Sequence, residues 1–339
     1  MKWSISAHNT MRRCHRQLMF TQIVASHNAR DVERREAFIL KQLQYINTWQ
    51  GSLIHEVLAS SIPVALQTSR KINVEEMSLK AKELAMRQFA FSKAKLYRAS
   101  GQTKSAAGDA FCALAEHEFD IPISQATVDR VFDAIKLCFD NLASQREFLQ
   151  LLETGSRHKT EINMPFKLNG FTISANPDLF FISVRGKKII VDWKIAESET
   201  SDYSKQLIVY GLALLSNGWW PDISATDIEL YEVNLLKNYV RKHPFDADRV
   251  NEAEDFIFAS TAEMTGLIGD IKYNDLESNE FEPANSPLTC AFCNFRPLCI
   301  QWLEKKGQSI ENIFAVEKLL KTNSNDLAGT TNMIQGSLL

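Results

Sequence analysis

Asp178, Asp192 and Lys194 are the residues whose types and spacing first suggest chemistry. Asp178 follows Pro177 at the start of one β-rich run, and Asp192 and Lys194 flank Trp193 at the end of the next. Side chains alternate along a strand, so Asp192 and Lys194 project from one face, toward whatever Asp178 faces across the sheet. Two carboxylates and an ammonium at one sheet edge suit a hard divalent cation, Mg²⁺ or Mn²⁺, which keeps waters and bridges to phosphate oxygens. Such an ion polarises a phosphoryl group and lowers the pKa of its water. Lys194 can orient that water or offset charge in the transition state. An Asp-x-Lys triplet alone carries little, because surface strands hold such pairs routinely. Here Ile189-Ile190-Val191 and Trp193 indicate an interior strand, where charge is rarely tolerated without a function.

Downstream, Tyr203, Gln206 and Tyr210 recur at helical spacing. Gln206 and Tyr210, four apart, share a helix face and could hold a phosphate or a water by hydrogen bonds; a half-buried helix turning polar groups to solvent has the same pattern. A second constellation lies in Cys290-Ala-Phe-Cys293-Asn-Phe-Arg-Pro-Leu-Cys299. Three thiolates in one short loop point to a compact metal site lacking a ligand, and Cys14 is the best candidate for the fourth. Cys112 and Cys138 sit among apolar neighbours and read as buried core thiols.

Positioning these groups requires a change of pattern along the chain. Helical periodicity covers about residues 18–60, with a break at Trp49-Gln50-Gly51, and about 74–155. Short β-rich runs follow at Glu161–Phe166, Phe171–Ser174, Leu179–Val184 and Lys188–Trp193, with Asn169-Gly170 and Arg185-Gly186-Lys187 as turns. A helix over about Ser204–Leu215, a strand over Ile228–Leu236 and a helix over about Ala247–Ile271 precede the cysteine loop, and a polar tail begins near Thr322. The expected divisions are an N-terminal helical arm (1–60), a helical insertion (61–157), an α/β core (158–240), a helix with the cysteine loop (241–303), and a helix with a mobile tail (304–339).

Composition narrows the class. The 339 residues are 45% hydrophobic and 23% charged, with net charge −3, as in an ordinary globular protein rather than one coated in positive charge. No apolar run approaches the roughly 18 residues that cross a bilayer, and the N-terminus lacks an apolar signal core, so no membrane partner and a cytoplasmic setting are expected. Thiols stay reduced there, which favours metal binding over disulfides. Two basic runs could line a nucleic-acid groove: Arg12, Arg13, Arg16, Arg30, Arg34 and Arg35, and a helical one with Lys80, Lys82, Arg87, Lys93, Lys95 and Arg98.

The series His55, Asp178, Asp192-Trp193-Lys194, then Gln206 with Tyr210, resembles the motif order of RecB-like nucleases of the PD-(D/E)XK superfamily. That group includes the nuclease domains of RecBCD and AddAB helicase-nucleases and the CRISPR-associated adaptation nucleases. Gly51-Ser-Leu-Ile-His55-Glu56-Val-Leu58 is similar to its first motif, which implies His55 as a metal ligand beside Asp178 and Asp192. The resemblance also implies a restriction-endonuclease-like α/β fold, a mixed central sheet flanked by helices. In that family the main-chain carbonyl between acid and lysine often completes the coordination, a role that falls to Trp193. One cysteine before the first motif and three near the C-terminus resemble the iron-sulfur members, so a structural [4Fe-4S] cluster on Cys14, Cys290, Cys293 and Cys299 is implied, with Zn²⁺ the alternative on the same thiolates. Departures are His15 after Cys14, where many members have proline, and Ala175 three before Asp178, where glycine is usual.

Together these imply a Mg²⁺- or Mn²⁺-dependent deoxyribonuclease acting on single-stranded or frayed ends, in repair, recombination or defence against foreign DNA, with a helicase or other subunit as a possible partner. Two other classes fit the same residues: a non-catalytic nucleic-acid-binding or scaffolding subunit, and a zinc-stabilised interaction protein.

Overall fold

The interior strand expected around Val191 forms the middle of a five-stranded sheet in the computed structural model, which describes residues 2–68, 71–99, 102–197, 203–276, 281–284, 286–305 and 307. Among these the strands are β1 (Lys2–Trp3), β2 (Ser156–Thr160), β3 (Phe166–Leu168), β4 (Phe171–Ile173), β5 (Leu179–Ile182), β6 (Lys188–Lys194), β7 (Ile228–Asn234) and β8 (Tyr239–His243). One sheet has the order β2-β5-β6-β7-β8 and a smaller one β1-β4-β3. Both mix parallel and antiparallel pairs, and helices flank them, as a restriction-endonuclease-like fold requires. The polar tail expected from Thr322 lies outside the described residues. Two compact units divide the chain: the described residues of Met1–Ser4, Asn47–Met86 and Ser124–Thr261, and those of Ile5–Ile46, Arg87–Ile123 and Ala262–Leu339.

Both sheets belong to the first unit, and their connections explain how it builds an edge for chemistry. β5 and β6 form an antiparallel hairpin in which Leu179 opposes Val191. β6 and β7 are parallel, and a parallel pair needs a crossover connection. The Ser204–Ser216 helix lies on that crossover, so its first turn returns to the end of β6. Its residues Leu207–Leu214 are buried, and Gly211 lets it approach Phe245, since a Cβ there would lie 2.7 Å from the Phe245 ring. Alternation along β6 sends Trp193 to the other face, buried edge-on against Phe148 at 5.7 Å.

Local patterns misread several segments. The strand expected at Glu161–Phe166 does not form: the strand is Ser156–Thr160, and Glu161 starts an irregular stretch with φ 48°. β2 is an edge strand with a register irregularity between Ser156 and Lys159, and Arg157 has φ 58°. Paired on one side only, Ser-Arg-His-Lys-Thr carries no apolar alternation to betray it. The edge strand β8, Tyr-Val-Arg-Lys-His, escaped notice for the same reason. At Trp49-Gln50-Gly51 the Ile46–Gln67 helix continues unbroken. A mid-helix glycine costs about 1 kcal/mol, and burying Trp49, Leu53 and Ile54 outweighs that. Asn169-Gly170 behaves as expected, with φ 48° and 83° in the tight turn between β3 and β4.

β7 also carries a buried charge. Glu232, in register with Asp192 on β6, is fully buried; it accepts from the Tyr239 hydroxyl at 2.6 Å, and His243 Nε2 lies 2.7 Å from its other oxygen. Burial pushes this carboxyl up, but the hydrogen bonds from His243 and Tyr239 pull harder and leave it below its ordinary range. A carboxyl depressed in the folded state stabilises the fold above its unfolded pKa, and that contribution is lost as pH falls through the folded value. Glu232→Gln is therefore expected to cost about 1–3 kcal/mol at pH 7. The gap from wild type should close in acid, below about pH 4, where the native carboxylate takes up a proton. Urea unfolding of both proteins at pH 7 and in acid reads this; a gap that stays constant removes the carboxylate from the account.

Candidate active site

The groups singled out in the sequence meet where β5 begins and β6 ends. Asp178 lies just before β5, one position beyond the Leu179–Val191 pair. Its Oδ2 accepts the Trp193 backbone N–H at 2.7 Å, and its Oδ1 lies 3.3 Å from Nδ1 of His55, on the Ile46–Gln67 helix. Burial pulls the His55 pKa down, but Asp178 overcomes this and leaves it raised. Asp192, 2% exposed, forms an ion pair with Lys194, its Oδ2 2.5 Å from Nζ. Burial pushes the Asp192 carboxyl up to about 6, with Lys194 opposing and Asp178 adding to the push.

Gln206 links these groups. Its Oε1 accepts from Lys194 Nζ at 3.1 Å, and its Nε2 donates to Asp192 Oδ1 at 3.2 Å and to the Tyr210 hydroxyl at 2.6 Å. The i, i+4 pair thus points at the carboxylates rather than at solvent. Burial, then Asp192, pushes the Tyr210 hydroxyl up, so its proton remains available to donate. The ring of Tyr203 lies 4.1 Å from Lys194 Nζ, a cation–π contact that spacing alone did not assign. Burial would push the Lys194 ammonium down, but Asp192 reverses this and holds it above its ordinary range.

Sequence reasoning missed one acid. Ligand atoms of His55, Glu161 and Asp178 all lie within 4.8 Å of one another, whereas Asp192 is outside this group of three. The left-handed turn at Glu161 brings it there, and its N–H donates to the Asp178 carbonyl at 3.1 Å. One imidazole and two carboxylates at this spacing are donors that fit a divalent cation. An acidic residue just past a polar edge strand and ahead of Pro165 was the available signal, and it is a weak one.

A sequence model described as the PD-(D/E)XK nuclease superfamily matches residues 2–300. The chain belongs to the PD-(D/E)XK nuclease superfamily. That makes it a member of a family of nucleases, hydrolases that typically use divalent metals. No curated protein matches it. Among solved structures it is similar to one titled "Crystal structure of SSO0001", at 18% identity over 54% of this chain and 77% of that chain, with a TM-score of 0.24.

Replacing a ligand of the proposed cation group in this PD-(D/E)XK chain should weaken metal binding without disturbing the core, because Glu161 is exposed. Glu161→Gln is expected to lower Mn²⁺ affinity by at least about tenfold, read by titration calorimetry with thermal melting unchanged. Wild-type affinity in this variant removes Glu161 from the ligand set.

In the second unit of the nuclease chain, Cys14, Cys290, Cys293 and Cys299 line one pocket together with Arg16, Phe20 and Arg296. Cys14 caps the His15–Met19 helix, its sulfur accepting the Gln17 N–H at 3.4 Å. Buried Arg16 donates to the Phe281 carbonyl at 3.2 Å and to Cys299 Sγ at 3.7 Å, and the Phe20 and Phe295 rings stack at 5.3 Å. Burial pushes the Cys290 thiol up to about 11 and Cys293 to about 12, and Cys299 also rises despite Arg16. Four thiols lining one pocket with cationic neighbours are donor types that suit a thiolate-bound metal centre. Cys112 and Cys138 are buried core thiols.

The two basic runs are largely engaged within the protein. Arg12 pairs with Glu263, Arg87 with Asp109, Lys95 with Asp120, and Arg98 with both Glu36 and Glu118. Arg34 donates to the Val24 carbonyl and lies over the Tyr273 ring. Side chains held this way structure the unit they belong to and offer less to a phosphate backbone than their number in the sequence suggested. Among the described residues no helix is long and apolar enough to cross a membrane.

Proposed function

We propose that this protein is a RecB-like deoxyribonuclease that hydrolyses phosphodiester bonds at single-stranded or frayed DNA ends, with Mg²⁺ or Mn²⁺ as its cation. The observation that carries the reading is the meeting of His55, Glu161 and Asp178 beside an ammonium fixed by Asp192, Gln206 and Tyr203. His55, Glu161 and Asp178 hold the cation, with Asp192 and the Trp193 main chain adjoining them. When bound, the ion supplies Lewis-acid polarisation of the phosphoryl group and an activated water. Lys194 offers a fixed positive charge to oxygens that gain negative charge in the transition state, and its geometry needs no rearrangement during reaction. Gln206 keeps Lys194 and Asp192 in register, and Tyr210 can donate a hydrogen bond to a phosphate oxygen. A binding or scaffolding subunit has no use for two buried or half-buried acids beside a lysine, which favours catalysis over that role.

The same reading assigns a structural [4Fe-4S] cluster to Cys14, Cys290, Cys293 and Cys299, with Zn²⁺ the alternative. It places the chain in repair, recombination or defence against foreign DNA, with a helicase-type partner and exonucleolytic action as its family resemblance implies. Anaerobically purified protein assayed on single-stranded, duplex and forked DNA, with and without Mn²⁺, tests it. Metal-dependent cleavage favouring single-stranded or forked substrates is the expected result, and no cleavage of any of the three sinks the catalytic reading.

A further inference from the structure

The turn after the Ser204–Ser216 helix exposes a large aromatic side chain. Trp219 is 43% exposed, yet its loop is held: its backbone N–H donates to Asn217 Oδ1 at 2.9 Å, and Trp220 meets it edge-on at 5.9 Å. Trp220 in turn packs on the Phe180 ring at 5.5 Å, which ties the loop to the sheet. Lys159 Nζ lies 5.4 Å from the Trp219 ring centroid. Among the described residues neither Lys159 nor its neighbour Arg157 is paired with a carboxylate, and both are carried by the edge strand β2.

The position of this pair matters as much as its chemistry. Lys159 opposes Phe180 across β2 and β5. Phe180 lies two residues after Asp178, and Lys159 two residues before Glu161, so β2 and β5, which carry Lys159 and the Phe180 ring that Trp220 packs on, directly adjoin the acids of the cation group. Two residues of strand span roughly 7 Å. A DNA strand with a phosphate at the acids therefore reaches the indole within a few nucleotides.

We propose that Trp219 and Lys159 form a stacking site for a base of an unpaired DNA strand, the ring taking the base and the ammonium its phosphate. This rests on the nuclease reading of the neighbouring site and gives it a physical basis for preferring unpaired ends. Every base has a face that can stack on an indole, but a base inside a duplex is already stacked on its neighbours. Partly exposed aromatics next to unpaired cations are the elements that sequence-independent single-strand binding uses.

The test is fluorescence anisotropy with a labelled oligothymidylate and with a labelled duplex, without added divalent metal so that hydrolysis is stalled. Wild type, Trp219→Ala, Trp219→Phe and Lys159→Ala are compared after thermal melts show that all four are folded. Trp219→Ala is expected to weaken oligothymidylate binding roughly tenfold while leaving duplex binding within about twofold, and Trp219→Phe to retain most of the affinity. Lys159→Ala should fall between and flatten the salt dependence. Wild-type affinity in Trp219→Ala, an equal loss on both substrates, or no binding of oligothymidylate by wild type overturns the proposal. Cleavage is scored separately: a protein that binds through Trp219 but cuts nothing would lose the nuclease reading and keep the stacking site, and one that cuts while Trp219→Ala binds normally would do the reverse.

Discussion

Asp178→Ala is expected to abolish metal-dependent DNA cleavage, by at least about a thousandfold given the several kcal/mol that a bound cation contributes to such reactions. Asp178 makes two contacts at once. One oxygen faces His55 at 3.3 Å within the group that includes Glu161, and the other accepts the Trp193 N–H at 2.7 Å. Alanine removes a proposed ligand and leaves that backbone N–H without its acceptor, a stability cost of about 1–3 kcal/mol. The apolar residues of β5 and β6 on either side stay buried, so the fold should survive. Lys194→Ala separates binding from chemistry, because it leaves His55, Glu161 and Asp178 in place and removes the fixed ammonium. It should keep Mn²⁺ binding by calorimetry while losing cleavage, whereas Asp178→Ala should lose both. Wild-type cleavage by either variant shows the roles to be wrongly assigned.

The second large effect is expected at the thiol pocket. Cys293→Ser is expected to empty the proposed metal centre and lower the thermal midpoint by more than about 10 °C. A structural metal couples about 10 kcal/mol or more of binding energy to folding, and each kcal/mol moves the midpoint by about 2–4 °C in chains of somewhat smaller size. The pocket sits where the Cys14 and Arg16 segment meets that of Cys290 to Cys299, so its loss unfastens segments far apart in sequence. Metal analysis distinguishes the occupants: iron with acid-labile sulfide and broad visible absorbance for the cluster, a colourless protein with one zinc for the alternative. Wild-type protein purified anaerobically with neither metal would overturn the reading of the cysteines. So would a Cys293→Ser variant that melts with wild type.

How much of this was legible beforehand depended on whether a contact is local. Alternation along one strand was enough to put Asp192 and Lys194 on one face, and they meet at 2.5 Å. Helical period was enough to pair Gln206 with Tyr210, which touch at 2.6 Å. The apolar run Ile189-Ile190-Val191 announced an interior strand, and Asn169-Gly170 announced a hairpin turn. Edge strands were illegible, because β2 and β8 are polar and pair on one side only. The missed β2 in turn hid Glu161 and the Lys159–Trp219 pair.

The amino-acid sequence by itself determined which residue types are available for cation binding, which neighbours share a strand or helix face, and that three thiols occupy one short loop, since each follows from a backbone repeat of a few residues. Only the tertiary structure decided that Glu161 joins His55 and Asp178, that Tyr203 lies under Lys194, and that Cys14 and Arg16 line the pocket of the distant cysteines. It also decided that Arg12, Arg87, Lys95 and Arg98 of the two basic runs are paired with carboxylates within the protein. Contacts of that kind depend on which surfaces pack together, a sum of many weak interactions spread over the whole chain that no single window of sequence contains.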